Sequence, residues 1–319
     1  MDMISQGAII GIDVSRDWLD IHCLPEGQYE RFPNTDMGHE RLTELARMTG
    51  AVVCFEATGG QEWRLWAELD AAGIVTRQLP PAQIKAFAAS RGTRAKTDRI
   101  DAELIARFLS FRPDAGRALP AQKLRVLRAL TSKRGQLVET RKRLLGQIKA
   151  RQKQGMDEPF EEMDSTLRCL LDTQVAKLEN QIECLIAADD VLAQTASILR
   201  SVPGIGPVAS TMLIAEMPEL GQISGEQAAA LTGLAPIAHD SGALRGKRAI
   251  GGGRNLLRHV MFQAALVASH HNPTLKPFAD RLRAAGKPHK VVITAVARKL
   301  VTIVNALCKS RQNWVIQAN

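Results

Sequence analysis

Four carboxylates stand where they could do phosphate chemistry. Asp13 ends the apolar run AIIGI, and Glu56 ends a second one, AVVCF. Asp98 and Asp101 lie three residues apart in KTDRIDAELIA, a segment that starts a helix, so the two share one helix face. Carboxylates gathered in one place repel each other unless cations neutralise them. Hard oxygen donors suit Mg2+ or Mn2+, which retain water and bind phosphate oxygens. Two such ions about 4 Å apart can activate one oxygen and stabilise another in phosphodiester chemistry. Taken singly, each acid has an ordinary role; Asp98 could simply serve the first turn of its helix. The set is more specific than any member. Glu103 points off the Asp98/Asp101 face and is set aside, and Asp17 and Asp20 are expected to be solvated.

The loop from Ala238 to Arg254 is a second centre. Ser241 is followed by Gly242 and then by Arg245, Gly246, Lys247 and Arg248, so its hydroxyl could attack a phosphate held by cations. On residue types alone, a Ser-Gly pair is a turn more often than a nucleophile. Other routes are poorer. Tyr29 is the one tyrosine and falls in a hairpin, the seven histidines show no HExxH spacing, and no GxxxxGK[ST] loop cradles a nucleotide.

These residues need elements to place them. Strands are expected at 8–14, 18–24 and 29–32, with a turn at Pro25-Glu26-Gly27. A helix follows from Thr35 to Met48, then a strand at 51–55, a helix at 61–72, a strand at 74–79 and a helix from Pro81. Three strands, then alternating helix and strand, with acids at strand ends, is the order of an RNase H-like α/β domain. Residues 120–155 repeat leucines at three- and four-residue steps among Arg and Lys, which predicts a long basic amphipathic helix. An acidic helix at about 167–188 could pair with it as an antiparallel coiled coil, with the break between Gly155 and Pro159. VPGIGPVAS, from Val202, matches a helix-hairpin-helix, whose glycine turn brings backbone N–H groups near a phosphate; the plainer reading is a turn that only packs two helices. A glycine-rich loop over 233–254 and helices at about 255–270, 274–285 and 289–309 complete the tail.

Of 319 residues, 45% are apolar and 24% charged, the balance of a folded globular chain. The net charge of +9 is unevenly spread. Residues 117–155 carry twelve Lys or Arg against Glu139 alone, and 241–319 carry fourteen against Asp280 alone, while 156–200 are acidic. Such segments suit a polyanion, nucleic acid first; solvated helix faces are the alternative. Cys23, Cys54, Cys169, Cys184 and Cys308 have no CxxC spacing, which fits a reducing cytoplasm rather than zinc or disulfides. No apolar run approaches the roughly 20 residues of a bilayer span, and the start lacks a basic leader, so neither membrane nor secretion is expected.

Together GIDVS, FEATGG, KTDRIDAELIA, VPGIGPVAS, LTGLAPIAHDSG and GKRAIGGGRNLLRHVMFQAA resemble the DEDD transposases of the IS110 family of insertion sequences, in the family's order over nearly the whole chain. The resemblance implies a RuvC-like catalytic domain over 1–116, a helical coiled-coil connector over 117–190 and a mainly helical C-terminal transposase domain over 191–319. It places the family's four acids on Asp13, Glu56, Asp98 and Asp101, as ligands of Mg2+ or Mn2+, and its serine nucleophile on Ser241. It further implies a DNA recombinase guided by a bridge RNA, acting on target and donor DNA in the cytoplasm of a prokaryotic cell. The working unit would be a homo-oligomer, dimer or tetramer, in which the RuvC-like domain of one subunit meets the serine of another. Two other readings stand beside it. A RuvC-like nuclease would use water and leave Ser241 idle, and a non-catalytic nucleic-acid-binding protein would use only the charged segments.

Overall fold

The computed structural model describes residues 7–93, 95, 97–238, 240–241, 244–246 and 248–315. The chain forms two compact units, Met1–Pro120 and Ala121–Asn319, each described by itself below.

The first unit runs β1 (Ile9–Val14), β2 (Trp18–Leu24), β3 (Gln28–Pro33), α1 (Asp36–Thr49), β4 (Val52–Glu56), α2 (Trp63–Ala71), β5 (Thr76–Leu79), α3 (Pro81–Ser90) and α4 (Asp98–Phe111). Its sheet has the order β3-β2-β1-β4-β5. The first three strands are antiparallel, and β1, β4 and β5 are parallel, which is the RNase H-like arrangement that the element order predicts. Thr35 stands at the N-cap of α1, as expected, though its side chain makes no capping bond.

Period-two alternation sorts the strands' side chains between two faces. Ile10, Ile12, Val14, Leu19, Ile21, Val53 and Phe55 form a core with Leu42 of α1 and Leu65, Trp66 and Leu69 of α2. The opposite face is covered by α4, with Ile9, Cys54 and Leu79 packing against Leu104, Ile105, Ala106, Phe108 and Leu109. Gly11 lies on this second face. A Cβ there would come 2.4 Å from the Ala106 nitrogen and 2.6 Å from the Ala102 carbonyl oxygen, so α4 sits directly on the β1 backbone.

In the second unit, α5 (Gln122–Gln154) ends at Gly155, whose φ of 66° only glycine adopts freely. A 3-10 turn (Glu158–Phe160) leads into α6 (Glu161–Ala187), which begins earlier than the sequence suggests. The two helices pair through opposite charges: Arg134 to Glu179 and Arg141 to Asp172, both at 2.6 Å, and Arg151 to Asp164. Lys123 reaches Asp189 at 2.7 Å, and Arg128 pairs with Glu216. The basic helix and the acidic one thus pair as an antiparallel hairpin, as their opposite charges suggest in the sequence. Arg134, Arg141 and Arg151 meet acids of the partner helix, and Lys142 and Arg143 remain mostly exposed beside Glu139.

Next come α7 (Asp190–Arg200), α8 (Pro207–Glu216) and α9 (Gly225–Leu231). The turn between α7 and α8 is the expected helical hairpin, and its two glycines divide the work. A Cβ on Gly204 would meet the Ala268 Cβ at 2.6 Å, so this glycine serves packing, whereas Gly206 faces open space. The loop over 233–254 forms four two-residue strands, β6 (Pro236–Ile237), β7 (Asp240–Ser241), β8 (Leu244–Arg245) and β9 (Ala249–Ile250), paired β6 with β9 and β7 with β8. The unit ends with α10 (Asn255–His271), α11 (Leu275–Ala284) and α12 (His289–Ser310). Helix α12 is long and apolar enough to cross a bilayer by length and composition, but Val292, Ile293, Val296, Leu300, Val301 and Val304 are consumed by the core it shares with α10 and α11. Leu127, Ile182 and Ile186, from the root of the α5/α6 hairpin, join that core.

Replacing Gly11 with alanine should separate β1 from α4 and lower unfolding stability by about 1–3 kcal/mol, because backbone rather than a movable side chain fills the space. Denaturant unfolding of the variant checks this, with Gly7→Ala, where nothing lies within 4 Å, as the near-neutral control.

Candidate active site

The alternation that builds the two cores also gathers the acids. Asp13 shares the α4 face with Ile9 and Gly11, Glu56 shares it with Cys54, and α4 opens at Asp98 with Asp101 one turn on. Thr97 caps that helix by accepting a hydrogen bond from the Ile100 N–H at 3.3 Å. The consequence is electrostatic. Burial, then the negative charges of Asp101, Asp98, Asp20 and Glu56, push the Asp13 carboxyl up from 3.8 to about 6. The other acids singled out in the sequence, Asp101, Asp98 and Glu56, therefore all act on Asp13. An all-oxygen donor set of this kind fits a hard divalent cation better than a softer metal.

Asp20 is a fifth member that sequence reasoning missed. It was expected in solvent, yet it is 1% exposed. It lies directly across the β1–β2 ladder from Asp13. Arg31 on β3 grips it with two hydrogen bonds, 2.8 and 2.9 Å, and the Tyr29 hydroxyl donates to it as well. The same guanidinium donates to Asp98 at 2.7 Å, tying the start of α4 to the sheet. A signal was present: counting outward from the turn after Val14 pairs residue 14 with 19 and 13 with 20. The bond to Asp20 raises the pKa of Tyr29, the one tyrosine of the chain.

The FEATGG turn after β4 is fixed from beneath. Glu62, 2% exposed, accepts hydrogen bonds from the Thr58 hydroxyl at 2.9 Å and the Gly60 N–H at 3.0 Å, and Gln78 donates to its other oxygen at 2.8 Å. Gly59 and Gly60 have φ of 73° and 118°, a path that side chains with a Cβ rarely follow. This turn sets where the chain leaves Glu56.

Ser241 belongs to the second unit. It is exposed on β7, paired with Leu244 of β8. His239, Gly242, Ala243 and Lys247 of its loop, and Lys96 ahead of α4, lie outside the described residues. Glu103, set aside in the sequence, pairs with Arg107 at 2.6 Å. Among the described residues, one group has donor atoms close enough together to hold a metal ion: Asp36, His39 and Glu68. Its donors are already engaged, however. His39 bonds Glu68 at 2.8 Å and Asn34 at 2.7 Å, and Arg64 pairs with both Asp36 and Glu68.

Because Asp13 holds its proton more tightly in the folded state than in the unfolded chain, it favours folding at low pH and opposes it as pH rises through about 6. Asp13→Asn should therefore be more stable than the parent above about pH 6, by roughly 1–2 kcal/mol after discounting for partial solvent access, with the gap closing towards pH 4. Thermal melts across that range measure it.

Two family profiles match the chain: one described as "Transposase", DEDD_Tnp_IS110, over residues 10–154, and "Transposase IS116/IS110/IS902 family" over residues 196–280. The chain is 30% identical to a pilin gene-inverting protein of Moraxella bovis over 95% of this chain and 96% of that one. It is 28% identical to an uncharacterized 43.6 kDa protein of the insertion element IS110 of Streptomyces coelicolor, over 41% of this chain and 32% of that one. A Thermus thermophilus RuvC solved with a Holliday junction substrate aligns with 35% of this chain and 99% of its own at 15% identity; its TM-score of 0.27 is too slight to bear on function. The 30% identity to the Moraxella protein over nearly its full length, together with the two profiles, shows that the chain belongs to the IS110 family of DNA transposases and recombinases.

Proposed function

We propose that this transposase is an RNA-guided DNA recombinase that exchanges strands through a phosphoserine link at Ser241, with Asp13, Glu56, Asp98 and Asp101 holding Mg2+ or Mn2+. The observation that carries the reading is the gathering of carboxylates around Asp13, whose pKa is raised to about 6 by burial first and then by the charges of Asp101, Asp98, Asp20 and Glu56, a perturbation of the kind that clusters at functional sites. A divalent ion held there supplies Lewis-acid stabilisation of charge developing on phosphodiester oxygens.

The Ser241 oxygen attacks the scissile phosphorus, its proton leaves to solvent, the bond from phosphorus to the 3′ oxygen breaks, and that oxygen takes up a proton from solvent. The products are a phosphoserine and a free 3′ hydroxyl. Attack by the 3′ hydroxyl of another strand reverses the step, breaks the bond from serine oxygen to phosphorus and restores the serine. The phosphodiester energy is conserved, so no nucleotide cradle is required. A gene-inverting relative supports rejoining over simple nicking, since inversion leaves no free ends.

Charge supports the partners. The tail over 241–319 carries fourteen Lys or Arg against Asp280, a surface for target and donor DNA and for a guide (bridge) RNA. The division into a RuvC-like domain at 1–116, a connector at 117–190 and a serine-bearing domain at 191–319 belongs to this reading. So do a homo-oligomer that brings one subunit's carboxylates to another's serine, and a place in the cytoplasm of a prokaryotic cell.

Incubating end-labelled target DNA with the protein, Mg2+ and copurified RNA should leave a slow-migrating adduct after denaturation. Ser241→Ala should abolish the adduct and recombination while changing nucleic-acid affinity less than about tenfold, since one hydroxyl contributes roughly 0.5–1.5 kcal/mol. Cleavage to free ends only, with Ser241→Ala equally active, would replace this reading with a water-using nuclease.

A further inference from the structure

The second unit contains a cavity of about 690 Å³ between α10, α12 and the β6/β9 ribbon. Its size lies within the roughly 300–1,000 Å³ typical of sites that enclose a small organic group. The lining is divided in character. Phe262 of α10, Ile250 of β9 and Val291 of α12 offer apolar surface, and Arg258, Lys290 and Arg298 bring positive charge. No carboxylate is among its described lining residues. Arg258 is held in place by its hydrogen bond to the Gly252 carbonyl at 3.1 Å. Ile250 and Val291 are 38% and 51% exposed, so apolar surface is presented where a purely structural wall would be covered.

A duplex offers its phosphates on the outside and its bases stacked within, so a charged flat or convex surface is enough to hold it. A concave site with apolar walls and an aromatic ring among cations fits a different shape, one base out of the stack with its phosphates at the rim. The position along the chain narrows the source. Strands β6 and β9 are the two ends of the loop over 238–248 that carries Ser241, so the cavity lies at the root of the serine's own loop.

We propose that this cavity binds an unstacked nucleotide of the DNA strand that Ser241 attacks. The inference rests on the serine reading above and adds a specificity element to it. Holding one base out of the duplex fixes the neighbouring phosphodiester relative to the loop, and it favours strands already unpaired, as a strand displaced by a guide would be.

The test measures binding without cleavage, by the full-length protein. The probes are a single-stranded DNA oligonucleotide containing 2-aminopurine, the same strand in a duplex, and the matching RNA. Val291→Glu, at an exposed position, should weaken single-stranded DNA binding about tenfold and reduce the fluorescence change of the 2-aminopurine, while duplex affinity changes less than twofold. Lys290→Glu with Arg298→Glu, both on exposed side chains, should give the same preference. Equal losses for single strand and duplex would reduce the cavity to general phosphate surface and overturn the proposal, as would no loss in either variant. Tighter binding of the RNA, with the same sensitivity to Val291→Glu, would assign the cavity to a guide and overturn it for DNA. Because no cutting is involved, failure of the serine reading appears in the adduct assay and failure of this one in the strand preference.

Discussion

The contact of α4 with the β1 backbone at Gly11 is the constraint on which the first unit depends. Any side chain at that position would strike Ala102 or Ala106 backbone. With none there, the helix lies against the strand, and its first turn arrives beside the strand's end. The two carboxylates of the helix and those of the sheet are then forced together against Coulomb's law. The cost is visible in Asp13, and it is borne because burial on both sheet faces outweighs it. Arg31 limits the repulsion by binding Asp20 and Asp98 at once. The Asp13 carboxyl stays raised, to about 6, all the same.

Charge in the second unit follows another economy. Helix α5 is strongly basic, but Arg134, Arg141 and Arg151 are spent on the acids of α6, which fixes the register of the hairpin more than it exposes a binding surface. Individually such half-exposed pairs contribute little to stability. In the tail, Arg248, Arg258, Lys290 and Arg298 line the cavity between α10, α12 and the β6/β9 ribbon, while Arg254 pairs with Glu219 and Arg283 with Asp280.

Much of this was legible in the sequence because its causes are local. Apolar runs ending in acids marked β1 and β4, and proline and glycine punctuation bounded α3, α5 and α8. The i, i+3 spacing of Asp98 and Asp101 put them on one helix face. What escaped were consequences of pairing between distant segments. Asp20 reads as a solvated acid until β3 supplies Arg31 and Tyr29 from across the sheet. Gly204 resembles a phosphate-binding glycine until Ala268 of α10 is seen against it. Short strands β6 to β9 have too few residues to show any periodicity, so the cavity they help to wall had no signal at all.

The central claim is that Asp13, Glu56, Asp98 and Asp101 form one divalent-cation site through their placement on the α4 face. Electron paramagnetic resonance of Mn2+ titrated into the full-length protein, without nucleic acid, tests it directly. The free-ion signal should be suppressed as ions bind, and Mg2+ should restore it by competition. Asp101→Asn should weaken that suppression about tenfold or more, while Asp36→Asn, in the ion-paired group with His39 and Glu68, should leave it unchanged. Equal suppression by wild type and Asp101→Asn, or loss of suppression in Asp36→Asn alone, would contradict the account.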